Sequence, residues 1–542
     1  MNTDAPARAA DPDPTAPARV IGVVGAGTMG AGIAQLACRS GARTLLHDPV
    51  AAALARGEEG IRAQLRRGAQ RGRWTEQEAD AATGRLETTG ELAGLAPCEL
   101  VIEAAPESLK LKHAIFSGLS AVVAPACVLA TNTSSLAVTA IAAAVEAPER
   151  VVGMHFFNPA PLMALLEVVA GAASGPRALA LARATGQAMG KHVIDAADGP
   201  GFLVNRCNRP FGLEALRLLQ EQIADVPTID RIVRGGGGFR MGPFELMDLV
   251  GIDVGMKISE SFYAQSFGEP RWRPSPIAQR MVDAGRHGRK SGRGYYDYTD
   301  GVPARAEEAP APAGAAGEGL VVVAGDGVLA HELHDSAAAA GWDARRPEVA
   351  AEEVPALVLD CGARDDDPPL QGGPQALLCD QGSLAALDPG GSAVGFHVLP
   401  PLSEAKVVEL TRGPETAASA VAAVQRLFSS MGKHTVWVGD APGLVLGRIV
   451  CQIINEAAFA LGEGVASATD IDAGMTLGLN HPRGPLAWAD AIGIDHVLNV
   501  LAGLQHEYQE ERYRTAPALR RLGLDGRLGR HVGAGFHDYP DG

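Results

Sequence analysis

The sequence predicts a duplicated α/β protein: a doubly wound, mostly parallel sheet domain, an all-helical domain behind it, and a shortened copy of both. Three observations predict this. From residue 19 to about 197, short apolar runs alternate with segments of helical period, the pattern of strands feeding crossover helices. After Gly199 the apolar residues recur at helical spacing alone, to about 298. The end of that region then returns: GRKSGRGYYDYTDG at 288–301 matches GRHVGAGFHDYPDG at 529–542 in eight of fourteen positions, and GPFELMDLVGID at 242–253 matches GPLAWADAIGID at 484–495. At 542 residues the chain also exceeds what one core supports.

The elements follow in order. MNTDAPARAADPDPTAPA, the first eighteen residues, has no apolar core and reads as a disordered extension, not a signal peptide. VIGVVGAG enters a Gly-rich turn as a buried parallel strand does, MGAGIAQLACRSG is a helix ending at Gly41, and RTLLHDP is a second strand. Residues 51–90 are polar, strongly basic and helical in pattern. ELVIEAAPE, CVLATNTSS and RVVGMHFF are further strands with helices between them, and LLEVVAG precedes a helix at 174–190. FLVNRCNRPFGLEALRLLQEQ reads as one long amphipathic helix. The Pro-, Ala- and Gly-rich stretch 299–318 is a linker. The predicted divisions are therefore 1–18, an α/β domain at 19–197, a helical domain at 198–298, the linker, a shortened α/β domain at 319–437 and a second helical domain at 438–542.

Composition removes several function classes. A net charge of −16 argues against nucleic acid or an anionic membrane as a partner, so an anionic substrate needs a local basic patch. The seven Cys are scattered without a CxxC pair, which predicts neither a zinc site nor a disulfide framework and fits a reducing cytoplasm. No metal ligand set is expected. No run of eighteen apolar residues offers a membrane span.

GAGTMG places Gly25, Gly27 and Gly30 in GxGxxG spacing. In a chain with 66 Gly the pattern alone is nearly free; its context is what carries weight. It follows an apolar strand, opens a helix, and is followed by Asp48 at the end of the next strand. The glycines permit the turn and close approach of a pyrophosphate to a helix N-terminus. Asp48 would accept hydrogen bonds from the adenosine ribose and repel a 2′-phosphate. The expected domain is Rossmann-type and the expected cofactor is NAD rather than NADP.

A His followed twelve residues later by Glu occurs twice, as His155 with Glu167 and as His397 with Glu409. A neutral imidazole oriented by a carboxylate is a general base. Around the first pair lie HFFNP, TNTSSL upstream, IEAAPE before that and DGPGFLVNR downstream. Together these resemble the 3-hydroxyacyl-CoA dehydrogenases of fatty-acid oxidation, well over 19–298 and in degraded form over 319–542. The resemblance implies that His155 takes the proton of the C3 hydroxyl while hydride leaves for NAD. It implies that Glu167 orients the ring and stabilises the imidazolium, and that Ser134 and Asn205 hold the hydroxyl oxygen. It implies further that Glu107 and Lys112 lie near the nicotinamide ribose, and that Asn158 shapes the nicotinamide end of the site. The basic stretch from Arg56 to Arg73, which also holds Arg62, Arg66, Arg67 and Arg71, falls where the family carries a hairpin near CoA.

Aligned on its His–Glu pair, the second copy keeps little else. GDGVLA at 325–330 retains only GxGxxA, and Glu348 replaces Asp48 after Arg345 and Arg346. From there the next strand is nine positions on, against 52 in the first copy. Glu107, Ser134, Asn158 and Asn205 become Arg364, Gly382, Pro400 and Gly447. One active site is therefore expected, with His397 and Glu409 persisting as a buried, mutually satisfied pair. The second helical domain is expected to occupy, within one chain, the surface that single-copy relatives use to pair with another subunit. A homo-oligomer is the alternative.

NRCNRPFGLEALRLLQEQ further resembles enzymes of aerobic phenylacetate breakdown that oxidise 3-hydroxyadipyl-CoA. Arg206 and Arg209 are the cations that could meet a terminal carboxylate, or else form salt bridges, and 3-hydroxybutyryl-CoA stays open as substrate. Two competing readings are a non-catalytic NAD- or CoA-binding protein and a docking component of a β-oxidation-type assembly. A 6-phosphogluconate-type enzyme would call for a Lys in GPGFLVNRCNRP, which has none.

Overall fold

Ile21 and Val23 on one face and Val24 on the other are all buried, so the first strand is apolar on both faces, as a central parallel strand between two helical layers must be. Each such side chain contributes about 1.5–3 kcal/mol by burial. The computed structural model describes residues 15–302, 305, 314–350, 353–362 and 372–540. The predicted extension and linker lie mostly outside them, as does Arg364.

The first copy runs β1 (Val20–Val24), α1 (Thr28–Arg39), β2 (Arg43–His47), α2 (Ala51–Gln70), α3 (Glu76–Gly84), β3 (Leu86–Thr89), β4 (Leu100–Glu103), α4 (Leu109–Val122), β5 (Val128–Thr131), α5 (Val138–Ala142), β6 (Val151–Phe156), β7 (Leu165–Ala170), α6 (Pro176–Ala188) and β8 (His192–Ala197). The strands form one sheet in the order β3-β2-β1-β4-β5-β6-β7-β8. All neighbours are parallel except β6 and β7, whose antiparallel register sets His155 opposite Glu167. That reversal turns a twelve-residue spacing into a contact. Two strands escaped the sequence reading. LETT and HVIDAA are the sheet edges, partly exposed to water, and so lack the apolar run that marks a buried strand.

The helical region continues with α7 (Val204–Cys207), α8 (Arg209–Gln220), α9 (Val226–Gly237), α10 (Pro243–Val250), α11 (Ile252–Gln265) and α12 (Pro276–Asp283). The long helix expected from Phe202 is broken into α7 and α8. Phe202 is left-handed at φ 51°, and Pro210 cannot donate within a continuing helix, so the chain restarts there.

The second copy follows as β9 (Leu320–Ala324), α13 (Val328–Ala339), β10 (Asp343–Arg345), α14 (Pro347–Ala350), β11 (Leu357–Asp360), β12 (Gln375–Leu378), α15 (Leu384–Leu387), β13 (Val394–His397), β14 (Val407–Arg412), α16 (Ala418–Ser430) and β15 (His434–Trp437). Its seven strands repeat the order without a counterpart of β3, and β13 and β14 repeat the antiparallel pair, His397 opposite Glu409. Arg345, expected with Arg346 in place of strand residues before Glu348, is itself the last residue of β10. Then come α17 (Leu446–Gly462), α18 (Ala468–Leu479), α19 (Pro485–Ile492), α20 (Ile494–Tyr508) and α21 (Pro517–Leu524).

The chain divides into two compact units, one running to Asn205 and including Leu477–Leu479, the other holding the remainder from Arg206. Within the second unit, α8 and α17 pack together. Their ion pairs are reciprocal. Arg206 reaches Glu456 at 2.8 Å and Glu463 at 2.7 Å; Arg448 reaches Glu214 at 2.5 Å and Glu221 at 2.6 Å. Arg448, Glu456 and Glu463 lie 242 positions after Arg206, Glu214 and Glu221, so the two copies meet as an isologous pair inside one chain. Tyr513 and Tyr508 donate and accept around Arg448, which is fully buried.

Candidate active site

The C-terminal ends of the first sheet's strands converge on a turn built from glycine. Gly25 sits at φ 99°, and a Cβ there would meet the Ala104 carbonyl at 2.8 Å; a Cβ on Gly30 would lie 1.8 Å from the Gly25 oxygen. At Gly27 a Cβ would touch nothing within 4 Å, so its face is open. Gly27 caps α1 without any side-chain bond and the first turn carries no acid, which leaves the helix's leading N–H groups available to an anion. Asp48, just past β2, accepts from the Ala26 amide at 3.0 Å and from the Val50 amide at 2.9 Å. The acid is thereby tied to the turn. These residues fit a dinucleotide.

Beside the turn lies a buried polar network of which sequence reasoning found only half. Lys112 is almost wholly inaccessible and donates to both oxygens of Glu103, at 2.8 and 2.9 Å, while reaching Glu107 at 3.3 Å. Glu103 also accepts from Thr131 at 2.7 Å and from the Ala105 amide at 2.6 Å. Glu107 accepts from the Ser134 and Ser135 amides at 3.1 and 3.0 Å, from the Ser135 hydroxyl at 2.9 Å and from Thr133. Burial would raise the Glu107 carboxyl, but Lys112 and these donors outweigh it and hold it below the ordinary range. Glu107 thus fastens the TNTSSL loop, Ser134 included. Asn132 fastens the same loop to β6, its Oδ1 accepting from the Phe156 amide at 2.8 Å. Glu103, Asn132 and Thr133 give no sequence signal beyond lying in the quoted motifs, because their work is done by contacts made in space.

His155 and Glu167 meet. Nδ1 lies 2.5 Å from Glu167 Oε2, with the imidazole 6% exposed and the carboxylate fully buried. The ring packs against Phe157 and Phe202, at centroid distances of 4.6 and 5.8 Å. Glu167 Oε1 accepts from the Leu203 and Val204 amides at 3.2 and 3.0 Å, at the start of α7, which carries Asn205. One carboxylate therefore fixes both the imidazole and the turn that presents Asn205. With Nδ1 occupied, Nε2 is the ring nitrogen that has no hydrogen-bond partner among the described residues. Asn158, after β6, is exposed and precedes a cis proline.

The basic stretch forms the α2–α3 hairpin. A cavity of about 490 Å³ is lined by Arg39, Arg67, Arg71, Arg73 and Trp74, with Arg39 stacked 4.1 Å from the Trp74 ring. Arg62 instead pairs with Glu58 at 2.9 Å, and Arg56 and Arg66 are exposed and do not line the cavity. Arg39 was not foreseen, lying outside the basic run.

In the second copy the pair has come apart. His397 faces His496, Nε2 to Nε2 at 3.2 Å, and its Nδ1 has no hydrogen-bond partner among the described residues. Glu409 accepts from the Val445 and Leu446 amides at 2.7 and 3.0 Å, the bonds Glu167 makes, but it holds no imidazole. The expectation of a mutually satisfied pair is thus corrected. Burial pushes the Glu409 carboxyl up to about 8 and His397 well below the usual imidazole range, so both are neutral at pH 7. A Cβ at Gly447, the counterpart of Asn205, would sit 2.2 Å from His397 Cε1, so the ring fills the room a side chain would need. The Arg346 guanidinium donates to the Gly325 carbonyl at 2.6 Å, covering the Gly-rich turn. Arg206, offered above to a substrate carboxylate, is 7% exposed and already paired with two glutamates.

Two family models match the chain. The model described as 3-hydroxyacyl-CoA dehydrogenase, NAD binding domain, matches residues 20–199 and 384–441; that described as 3-hydroxyacyl-CoA dehydrogenase, C-terminal domain, matches 201–298 and 443–539. The 3-hydroxyadipyl-CoA dehydrogenase of Escherichia coli K12 is 37% identical over 511 residues, 93% of this chain and 98% of its own. A 3-hydroxybutyryl-CoA dehydrogenase of Mycobacterium tuberculosis is 40% identical over 280 residues, 51% of this chain and 98% of its own. A crystal structure of 3-hydroxybutyryl-CoA dehydrogenase from Escherichia coli K12 superposes with a TM-score of 0.79 at 37% identity, covering 94% of this chain and 98% of that one.

Proposed function

The chain belongs to the 3-hydroxyacyl-CoA dehydrogenase family, and from that premise we propose that its one catalytic centre is the His155 site of the first copy, oxidising the C3 hydroxyl of an (S)-3-hydroxyacyl-CoA to the 3-ketoacyl-CoA. The observation that carries this is the 2.5 Å contact of His155 with a carboxylate that also holds the turn bearing Asn205.

NAD, when bound, supplies the acceptor for the hydride that leaves C3. Gly25, Gly27 and Gly30 let its pyrophosphate approach the N-terminus of α1, and Asp48 takes the ribose. Glu107, Lys112 and Asn158 bound the nicotinamide end, with Lys112 acting through Glu103 and Glu107 rather than by touching the cofactor. His155 accepts the hydroxyl proton at Nε2, and Glu167 keeps the ring oriented and stabilises the imidazolium that forms. Ser134 and Asn205 hold the oxygen as it becomes a ketone. The guanidiniums of Arg67, Arg71 and Arg73 receive CoA phosphates. An intact His–Glu pair of this kind argues against the non-catalytic reading.

For the acyl chain we favour 3-hydroxyadipyl-CoA, the substrate named on the relative that matches 93% of the chain, and hence a place in aerobic phenylacetate breakdown. With Arg206 committed to two glutamates, we assign the terminal carboxylate to the other arginine of NRCNRP, Arg209. It lines an apolar cavity of about 140 Å³ together with Ser259, whose Oγ lies 3.4 Å from Nη1. NADH formation with (S)-3-hydroxyadipyl-CoA and (S)-3-hydroxybutyryl-CoA tests the proposal. A higher kcat/KM for the adipyl ester is expected; preference for the butyryl ester would overturn the chain-length assignment, and activity on neither would overturn the catalytic one.

A further inference from the structure

Gly478, in the last turn of α18, belongs to the second copy, yet Leu477–Leu479 fall within the first compact unit. Its place there has no room for a side chain. A Cβ on Gly478 would lie 2.8 Å from Leu165 Cδ2, 3.3 Å from Val204 Cγ1 and 3.6 Å from Phe157 Cε1. Leu165 and Val204 have no exposed surface and Phe157 is buried, so each is held by its neighbours.

All three of those residues are one step from the catalytic pair. The Phe157 ring packs on the His155 imidazole, and the Val204 amide donates to Glu167 Oε1. Leu165 stands two residues before Glu167, on the same face of β7. Three supports of His155 and Glu167 thus share one neighbour, and the other copy supplies it. Glycine is a poor helix former, so its place in α18 answers to this close approach.

The contact has a twin. Gly236 lies 242 positions before Gly478, in the last turn of α9, and each glycine is two residues ahead of a left-handed cap, Gly238 and Asn480. A Cβ on Gly236 would lie 3.0 Å from Leu446 Cδ2 and 3.7 Å from the Val407 carbonyl oxygen. Leu446 and Val407 are the counterparts of Val204 and Leu165, and the Leu446 amide bonds Glu409 as the Val204 amide bonds Glu167. Each copy's helix therefore braces the other copy's glutamate turn. Only the turn braced by Gly478 holds a carboxylate that is bound to an imidazole.

We propose that Gly478 is a positioning residue for the reaction at His155: the second copy holds Glu167, and through it the imidazole, in register with the substrate. The proposal rests on the His155 reading above. A misplacement of about 1 Å in a catalytic group can cost about 10²-fold in rate, so a brace of this kind is felt in the chemical step.

The test is a single turnover of the full chain, with enzyme and NAD in excess over the (S)-3-hydroxyacyl-CoA that it oxidises faster. The rate constant reports the chemical step and the amplitude reports the fraction of competent sites, so a loss of folded protein lowers the amplitude alone. G478V should lower the rate constant about tenfold or more with the amplitude kept. G478A should lower it less, about threefold, since its one methyl meets chiefly the end of the Leu165 side chain. G236V, which crowds the twin contact, should leave both quantities at wild-type values. NADH binding shows whether each variant has folded, and G478A is read in place of G478V if the larger side chain prevents folding. A wild-type rate constant in every folded Gly478 variant, or equal slowing by G236V, would overturn the positioning role and leave the His155 assignment intact. No turnover by the wild type would overturn that assignment and this inference with it.

Discussion

The same two residue types, at the same spacing and the same strand register, do different things in the two copies, and the difference lies in what each imidazole faces. His155 has its Nδ1 on Glu167; His397 turns to His496 and leaves Glu409 alone. Replacing His155 with Ala should therefore lower kcat about 10²–10⁴-fold, the usual range for a general base, while His397→Ala should leave kcat near wild type in the same NADH assay. Glu167→Gln should also cost about 10²-fold or more, because an amide can favour the wrong tautomer of His155. Arg209→Met should lower kcat/KM for the adipyl ester more than for the butyryl ester, since only the former carries a free carboxylate at the end of its acyl chain. The His–Glu spacing and the motifs around it made the contact of His155 with Glu167 readable in advance. The collapse of its double was not readable, because position 447 betrays it only through the 2.2 Å approach of His397 to a Cβ that glycine lacks. Glu103 and Asn132 stayed hidden for the same reason: their identity is ordinary and their partners are distant in sequence.

At the scale of elements, apolar runs and glycines announced the central strands and the first βαβ unit, where both faces are buried. The edges β3 and β8 could not announce themselves, having one side toward water. A break at Asn208 was implicit in Pro210 and was overridden by the helical period on either side. The join of β14 to the turn before α17 carries its own consequence. Glu409 is raised by burial to about 8 in the fold and returns to the ordinary carboxylate range when unfolded. The folded state then holds a proton that the unfolded chain has released, so stability falls as pH rises between those two values and levels off above about 8. Glu409→Gln removes that titration. Denaturant unfolding should show the variant gaining on wild type as pH goes from 5 to 9, and parallel pH profiles would refute the protonated assignment.

For the whole molecule, the decisive interaction is the reciprocal contact of α8 with α17. Arg448 is buried among Glu214, Glu221, Tyr508 and Tyr513, so Arg448→Met should destabilise the second unit by about 3–5 kcal/mol by stranding carboxylates, and Arg448→Met with Glu214→Leu should recover part of that loss in the same melt. Because Arg206, Glu214 and Glu221 mirror their counterparts, residues 15–302 expressed alone should pair through α8 and sediment as a dimer; a monomer would contradict the self-complementarity of that face.

A pair formed between separate chains obeys mass action and is lost on dilution. Here both halves belong to one molecule, so their association carries no concentration term. The arrangement of α8 and α17 should be as complete in a nanomolar solution as in a millimolar one, and activity per molecule should not decay as the enzyme is diluted.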